Sequence, residues 1–129
     1  MTIVATLLGR AVAAHRAGRV AEAMAAYRGV LAAEPEHARA NHLLGFALLQ
    51  LGLPADALPL LATALQRSPR IPDAWAHFGI ALSALRQPAH ANTALRRALL
   101  LSPALLEAEI GMIQAARDAG RAVPERSAS

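Results

Sequence analysis

His42, Asp73 and His77 are the side chains whose types and spacing come nearest to chemistry in this sequence. On a helix, Asp73 and His77 stand four residues apart on one face, and His42 lies on the corresponding helix of the preceding unit. Two imidazoles and a carboxylate are a ligand set that zinc accepts. No further carboxylate or spacing motif is in place to orient those imidazoles, so the expected arrangement is a local Asp73–His77 pair with Arg39 nearby. Other catalytic constellations are weaker still. Glu34 and Glu36, like Glu107 and Glu109, are two residues apart, which on a helix aims them in different directions. No strand-turn-helix nucleophile elbow, phosphate-cradling glycine loop or paired-histidine zinc helix is present, and His15, His37 and His90 have no evident partner. The sequence therefore predicts no enzyme, no metal and no cofactor.

What must position these residues is set by a repeat. Pro35, Pro69 and Pro103 recur at a spacing of 34 residues, and Gly18, Gly52 and Gly120 fall on a second ladder of that period. A fixed period of this length marks a solenoid. Stacked on it, the sequence divides into blocks over 4–37, 38–71 and 72–105, with a partial unit from 106 and a polar tail over 121–129 expected to be disordered. Equivalent positions agree in size. Ala11, Gly45 and Gly79 match, as do Ala23, Ala57 and Ala91, and Val30, Ala64 and Ala98. The large residues Tyr27, Leu61 and Leu95 match too, beside an invariant leucine at 31, 65 and 99. Small and large layers in alternation are what interdigitating helices need.

Each block holds two apolar-periodic runs of about thirteen residues split at Gly18, Gly52 or Arg86, which predicts a helix hairpin. A glycine inside a helix costs about 1 kcal/mol against alanine, so Gly45 and Gly79 are expected where helices cross closely. Pro54, Pro72 and Pro88 suit first helical turns. Pro59 does not suit a helix interior, and the expectation is that Asp56 caps a shortened helix starting at Ala57, with a kink at Pro59 as the alternative.

Composition closes off other classes. The hydrophobic fraction is 55% but the aromatic fraction only 3%, so the core must be thin and alanine-lined. There is no cysteine, hence no disulfide or thiolate chemistry, in keeping with a reducing compartment. The 13 basic residues are all arginine and are scattered along the chain, giving a net charge of +4 without the basic, aromatic-studded stripe that nucleic acid requires. No apolar run reaches the length of a membrane span and the first residues lack a signal-peptide pattern, so a cytoplasmic protein is predicted, with no membrane partner.

The blocks resemble bacterial tetratricopeptide repeats. Block three carries the family pattern with Trp75, Phe78, Gly79, Leu82, Ala91, Leu95, Ala98 and Pro103, and the likeness extends from Val4 to about Gly120. Departures are Arg10 at a usual leucine position, Asn41 at a usual bulky position and Arg86 at the turn glycine. The resemblance implies an all-α, right-handed α-solenoid of three helix-turn-helix units plus a capping helix over about 106–119, seven helices in all. It also implies a concave groove lined by the first helix of each unit: Leu8, Val12, Arg39, His42, Phe46, Leu49, Asp73, His77, Ile80, Ile110 and Gln114. The family's carboxylate clamp is absent, its positions being held by Leu8, Val12, Leu43, Asp73 and His77. The asparagine ladder of O-linked sugar transferases is absent too.

The function so implied is a protein-interaction scaffold that binds a peptide or amphipathic helix in an apolar groove. Two alternatives stand beside it. Stretches 7–34 and 40–48 are similar to repeats that precede glycosyltransferase, sulfotransferase or methyltransferase domains in bacterial enzymes. Small residues Ala108, Gly111, Ala115 and Ala119, with Met112, form a stripe suited to self-association of the last helix.

Overall fold

The computed structural model describes residues 2–105, and within them every regular element is helical. Six helices follow in order: α1 Ile3–Arg16, α2 Val20–Ala33, α3 Ala38–Gln50, α4 Pro54–Arg67, α5 Pro72–Ala84 and α6 Pro88–Leu101. A further helical stretch occupies 103–105. The expected capping helix over 106–119, its small-residue stripe and the tail over 121–129 lie outside the described residues.

Helices pack most closely within the hairpins α1–α2, α3–α4 and α5–α6, then between neighbouring hairpins, α2 on α3 and α4 on α5. α3 also touches α5. This is an α-solenoid, in which each unit buries its apolar face only against its neighbours.

The three hairpin turns close identically. Gly18 (φ +82°), Gly52 (φ +76°) and Arg86 (φ 61°) each take the left-handed conformation just past the first helix of the hairpin. Their N–H groups donate to the carbonyls of His15, Leu49 and Ser83, and the next residue donates 2.9 Å to Ala14, Leu48 or Leu82. That double closure is the Schellman motif, which satisfies carbonyls left over at a helix end. Arginine at 86 therefore replaces glycine in sequence but not in backbone shape.

Helix starts use three devices. Thr2 Oγ1 accepts from Ala5 N at 3.0 Å to cap α1, and His37 Nδ1 accepts from Ala40 N at 3.1 Å to cap α3. Pro54, Pro72 and Pro88 open α4, α5 and α6. The expectation that Asp56 caps α4 is overturned: the helix begins at Pro54, Asp56 sits in its first turn and Pro59 lies inside it. Proline at the first position gives up no bond there, so it starts the helix ahead of the aspartate, which still benefits from the helix dipole. Pro59 is exposed, and Thr63 Oγ1 donates to its carbonyl at 3.0 Å.

Asn41, a departure from the family pattern, turns out to do what Trp75 does one repeat later. Asn41 Nδ2 donates to Pro35 O at 3.1 Å and to His37 O at 3.0 Å, while Trp75 Nε1 donates to Pro69 O at 2.7 Å. Each ties the start of one unit to the proline that closes the unit before. What the position requires is a donor, supplied by a small amide or a large indole.

Tyr27, Leu61 and Val30 are the largest fully buried side chains. Around them alanines at 11, 23, 57, 64, 74 and 98 have no exposed surface. A Cβ on Gly45 would stand 2.8 Å from Leu61 Cγ, and one on Gly79 2.8 Å from Leu95 Cγ. The glycines thus mark the points where the two helices of a hairpin approach most tightly. Burial thins toward the last described helix: Leu65 is 6% exposed, whereas Leu99, its equivalent, is 43% exposed.

Candidate functional site

A hollow of about 400 Å³ opens where α1, α2, α3 and α5 face one another. Its apolar wall is Val12 from α1 with Leu43 and Phe46 from α3. His15, Tyr27 and Gln50 contribute polar groups, and Arg16, Arg39 and Asp73 supply charge. A larger hollow of about 450 Å³ lies among the loops by Glu34, Glu36, His37 and Arg67. Its chemistry is already spent: Arg67 pairs with Glu36 at 2.8 Å, and His37 caps α3.

Helical spacing places these groups. Val12, His15 and Arg16 lie within one turn and a half at the end of α1, and Arg39, Leu43, Phe46 and Gln50 follow at intervals of three or four along α3. Tyr27 comes from the second helix of the first hairpin. It is fully buried, yet its hydroxyl reaches the hollow and lies 2.9 Å from His15 Nδ1. His15 Nε2 lies 2.6 Å from Gln50 Oε1. An amide oxygen only accepts, so Nε2 donates to it, while Nδ1 and the tyrosine hydroxyl share the second bond. The imidazole is thereby locked between α2 and α3, with both nitrogens occupied.

A second imidazole arrangement stands behind Phe46. His77 stacks on the Phe46 ring, centroids 4.3 Å apart and planes 16° from parallel, while His15 tilts against Phe46 at 5.5 Å. His42 Nε2 is 2.9 Å from His77 Nδ1. Both histidines are buried, at 6% and 8% exposure. One ring donates and the other accepts, which requires at least one neutral imidazole.

Electrostatics follow burial. Desolvation pushes His77 down to about 4, and the neighbouring His42 adds to that. His42 is also lowered, first by desolvation, with Asp73 pulling it back up and Arg39 pressing it further down. The Tyr27 phenol is raised by burial, against the opposing pull of Arg39 and Arg16.

The sequence-predicted groove residues divide into groups. Val12, Arg39, Phe46 and Asp73 line the hollow. Leu8 and Leu49 are half-buried against the core, and Ile80 is half-buried on α5. His42 and His77 are floor residues rather than lining. Ile110 and Gln114 lie outside the described residues. The expected Asp73–His77 pairing needs correcting: His77 is hydrogen-bonded to His42, and the field of Asp73 registers on His42. His15, thought partnerless, has two partners, and His37 has the α3 cap.

Of the other lining residues, His15, Arg16 and Gln50 stand at positions that the family resemblance points into the concave surface, whereas Leu43 and Tyr27 were not expected to line it. The size of Tyr27 marked it as core. Among the described residues no three of His, Cys, Asp and Glu come together as a metal site.

A family model described as tetratricopeptide repeat matches residues 14–76, from the end of α1 into α5. No curated protein matches the chain significantly in sequence. Among solved structures, a MamA double mutant (RS-1 ArsTM) is 25% identical with a TM-score of 0.72, covering 78% of this chain and 57% of its own. The chain thus spans little more than half of that relative. The O-GlcNAc transferase of Thermobaculum terrenum is 31% identical over 80% of this chain but only 21% of its own length, with a TM-score of 0.74. The first repeat domain of Spaghetti (RPAP3), solved with an HSP90 peptide bound, shares the fold at 20% identity and a TM-score of 0.74, covering 86% of this chain and 93% of its own.

Proposed function

Because the chain is a tetratricopeptide-repeat solenoid, we propose that it is a non-catalytic protein-interaction scaffold that takes a peptide or amphipathic helix along the inner face of its first helices. The observation that carries this reading is the hollow of about 400 Å³ walled by Val12, Leu43 and Phe46 and rimmed by polar and charged groups. Apolar anchor pockets with a few convergent polar groups are how grooves hold peptide side chains. The bound peptide of the RPAP3 domain, a protein of the same fold, supports the class of ligand.

We read the working units as repeats over about 4–37, 38–71 and 72–105, acting in the cytoplasm. No described helix is long and apolar enough to cross a membrane. The test is selection of a phage-displayed random peptide library on the chain and on Phe46→Asp/Ile80→Asp, with circular dichroism to verify that the variant folds. Sequences should enrich on the first and not on the second. Equal enrichment on both would remove the groove from the account.

The likeness to the O-GlcNAc transferase favours a second reading, in which these residues are the repeat domain of a larger bacterial transferase. An immunoblot of the native polypeptide decides it: a mass well above that of 129 residues supports it, and a mass equal to it does not. Self-association through the last helix is a third reading, resting on residues outside those described.

A further inference from the structure

Building on the proposed peptide groove, we infer that Arg16 and Arg39 form an acid-binding rim, so that the segment bound carries an aspartate or glutamate side chain beside its apolar anchor. Both guanidinium-bearing side chains line the same hollow from different helices, Arg16 as the last residue of α1 and Arg39 as the second of α3. Both lie near enough to the Tyr27 phenol to favour its ionised form, against the larger opposing effect of its burial. Among the described residues the ion pairs are Arg19–Glu22 and Arg67–Glu36, and neither uses Arg16 or Arg39. A cation at the start of α3 faces the positive end of the helix dipole, an unfavourable place without an anion to offset it. These are not the clamp positions of the family.

Asp73 lines the hollow as well, so its charges are two positive and one negative. The surplus of one matches a single carboxylate, and Asp73 disfavours a dianionic phosphate while remaining free to accept a backbone N–H of the ligand. The wall of Val12, Leu43 and Phe46 asks for an apolar side chain next to that carboxylate. Half-buried apolar side chains continue on either side, Leu8 along α1 and Ile80 on α5. The segment therefore runs through the groove, and its acid is an internal side chain rather than a chain end. Planar guanidiniums suit this task because they grip a carboxylate with paired N–H groups.

The experiment is the same random-peptide selection, run on the chain, on Arg16→Gln/Arg39→Gln and on Phe46→Asp/Ile80→Asp, followed by binding of a synthetic enriched peptide. Both arginines are exposed, so their replacement should leave the melting temperature unchanged. Enriched sequences should hold an internal Asp or Glu adjacent to Leu, Ile, Phe or Met. Affinity should fall about tenfold or more for Arg16→Gln/Arg39→Gln, and by a similar factor when the peptide's acid becomes its amide. Added salt should weaken the wild-type complex more than the Arg→Gln complex. Enriched peptides without an acid, acids found only at the free C-terminus, or indifference to the arginine changes would each overturn the inference. If purely apolar peptides enrich and are lost on Phe46→Asp/Ile80→Asp, the acid rim fails while the groove stands. If nothing enriches on the wild type, both fail.

Discussion

His42 Nε2 lies 2.9 Å from His77 Nδ1, joining the first helices of two successive repeats through a buried imidazole pair. The pair is held only while at least one ring is neutral: burial disfavours the imidazolium, and two cations 2.9 Å apart would repel each other. Histidine 77 also supports Phe46, a wall of the hollow, by stacking. Groove shape and protonation are thereby linked through one side chain.

This linkage sets a pH window for stability. With His77 lowered from 6.5 to about 4, the unfolded chain binds the proton first, so stability is complete above pH 6.5 and declines as pH falls toward 4. A displacement of that size corresponds to roughly 3 kcal/mol for His77 alone. Asp73 and Arg39, which face His42 with opposite sign, modulate the onset. Urea midpoints at neutral pH and near pH 4.5 should differ more for the wild type than for His42→Leu/His77→Phe. An equal acid loss in both proteins would assign it to carboxylates elsewhere.

Gly45→Ala and Gly79→Ala should diverge although their sequence contexts match. Each gains about 1 kcal/mol of helix propensity. Each also drives a methyl to within 3 Å of a leucine, but Leu61 opposite Gly45 is fully buried and fixed, whereas Leu95 opposite Gly79 is half-buried and has room to turn. Overpacking a fixed neighbour costs roughly 1–3 kcal/mol, so Gly45→Ala should destabilise and Gly79→Ala should be close to neutral. Denaturant melts of the two variants check the ordering.

Arg86→Gly should stabilise. Arginine at φ 61° bears the left-handed penalty that Gly18 and Gly52 avoid, about 1 kcal/mol or somewhat more, partly offset by the greater freedom of glycine in the unfolded chain. The net expectation is a rise of a few degrees in Tm. A fall would mean that the Arg86 side chain contributes more than its backbone costs.

Pro59→Ala should stabilise as well, because it restores an N–H to the interior of α4 at an exposed position. The gain should exceed 1 kcal/mol yet stay below the ~3 kcal/mol of a mid-helix proline, since Pro59 lies only one turn and a half from the helix start. Thermal unfolding measures it directly.

The fold was legible because a 34-residue period leaves little freedom: the prolines bound the units, the glycines mark turns, and Gly45 and Gly79 announce close crossings. The start of α4 was misread at Asp56 because the cost of Pro59 inside a helix was allowed to outweigh the suitability of Pro54 for the first turn. The site was legible in outline through Val12, Arg39, Phe46 and Asp73. The His42–His77 bond was not, since it depends on how far one repeat is rotated against the next, which periodicity does not encode. Tyr27 escaped for a related reason: its ring belongs to the core while its hydroxyl belongs to the hollow.

The central claim is that the inner face formed by α1, α3 and α5 is where this protein meets its ligand. Amide chemical-shift mapping of the isotope-labelled chain, titrated with a peptide selected on it, addresses that claim directly. The account expects the largest perturbations at Val12, His15, Arg39, Phe46 and Ile80, with little change at the outward residues of α2, α4 and α6. Saturable shifts centred on α4 or α6, with α1 and α3 silent, would contradict it.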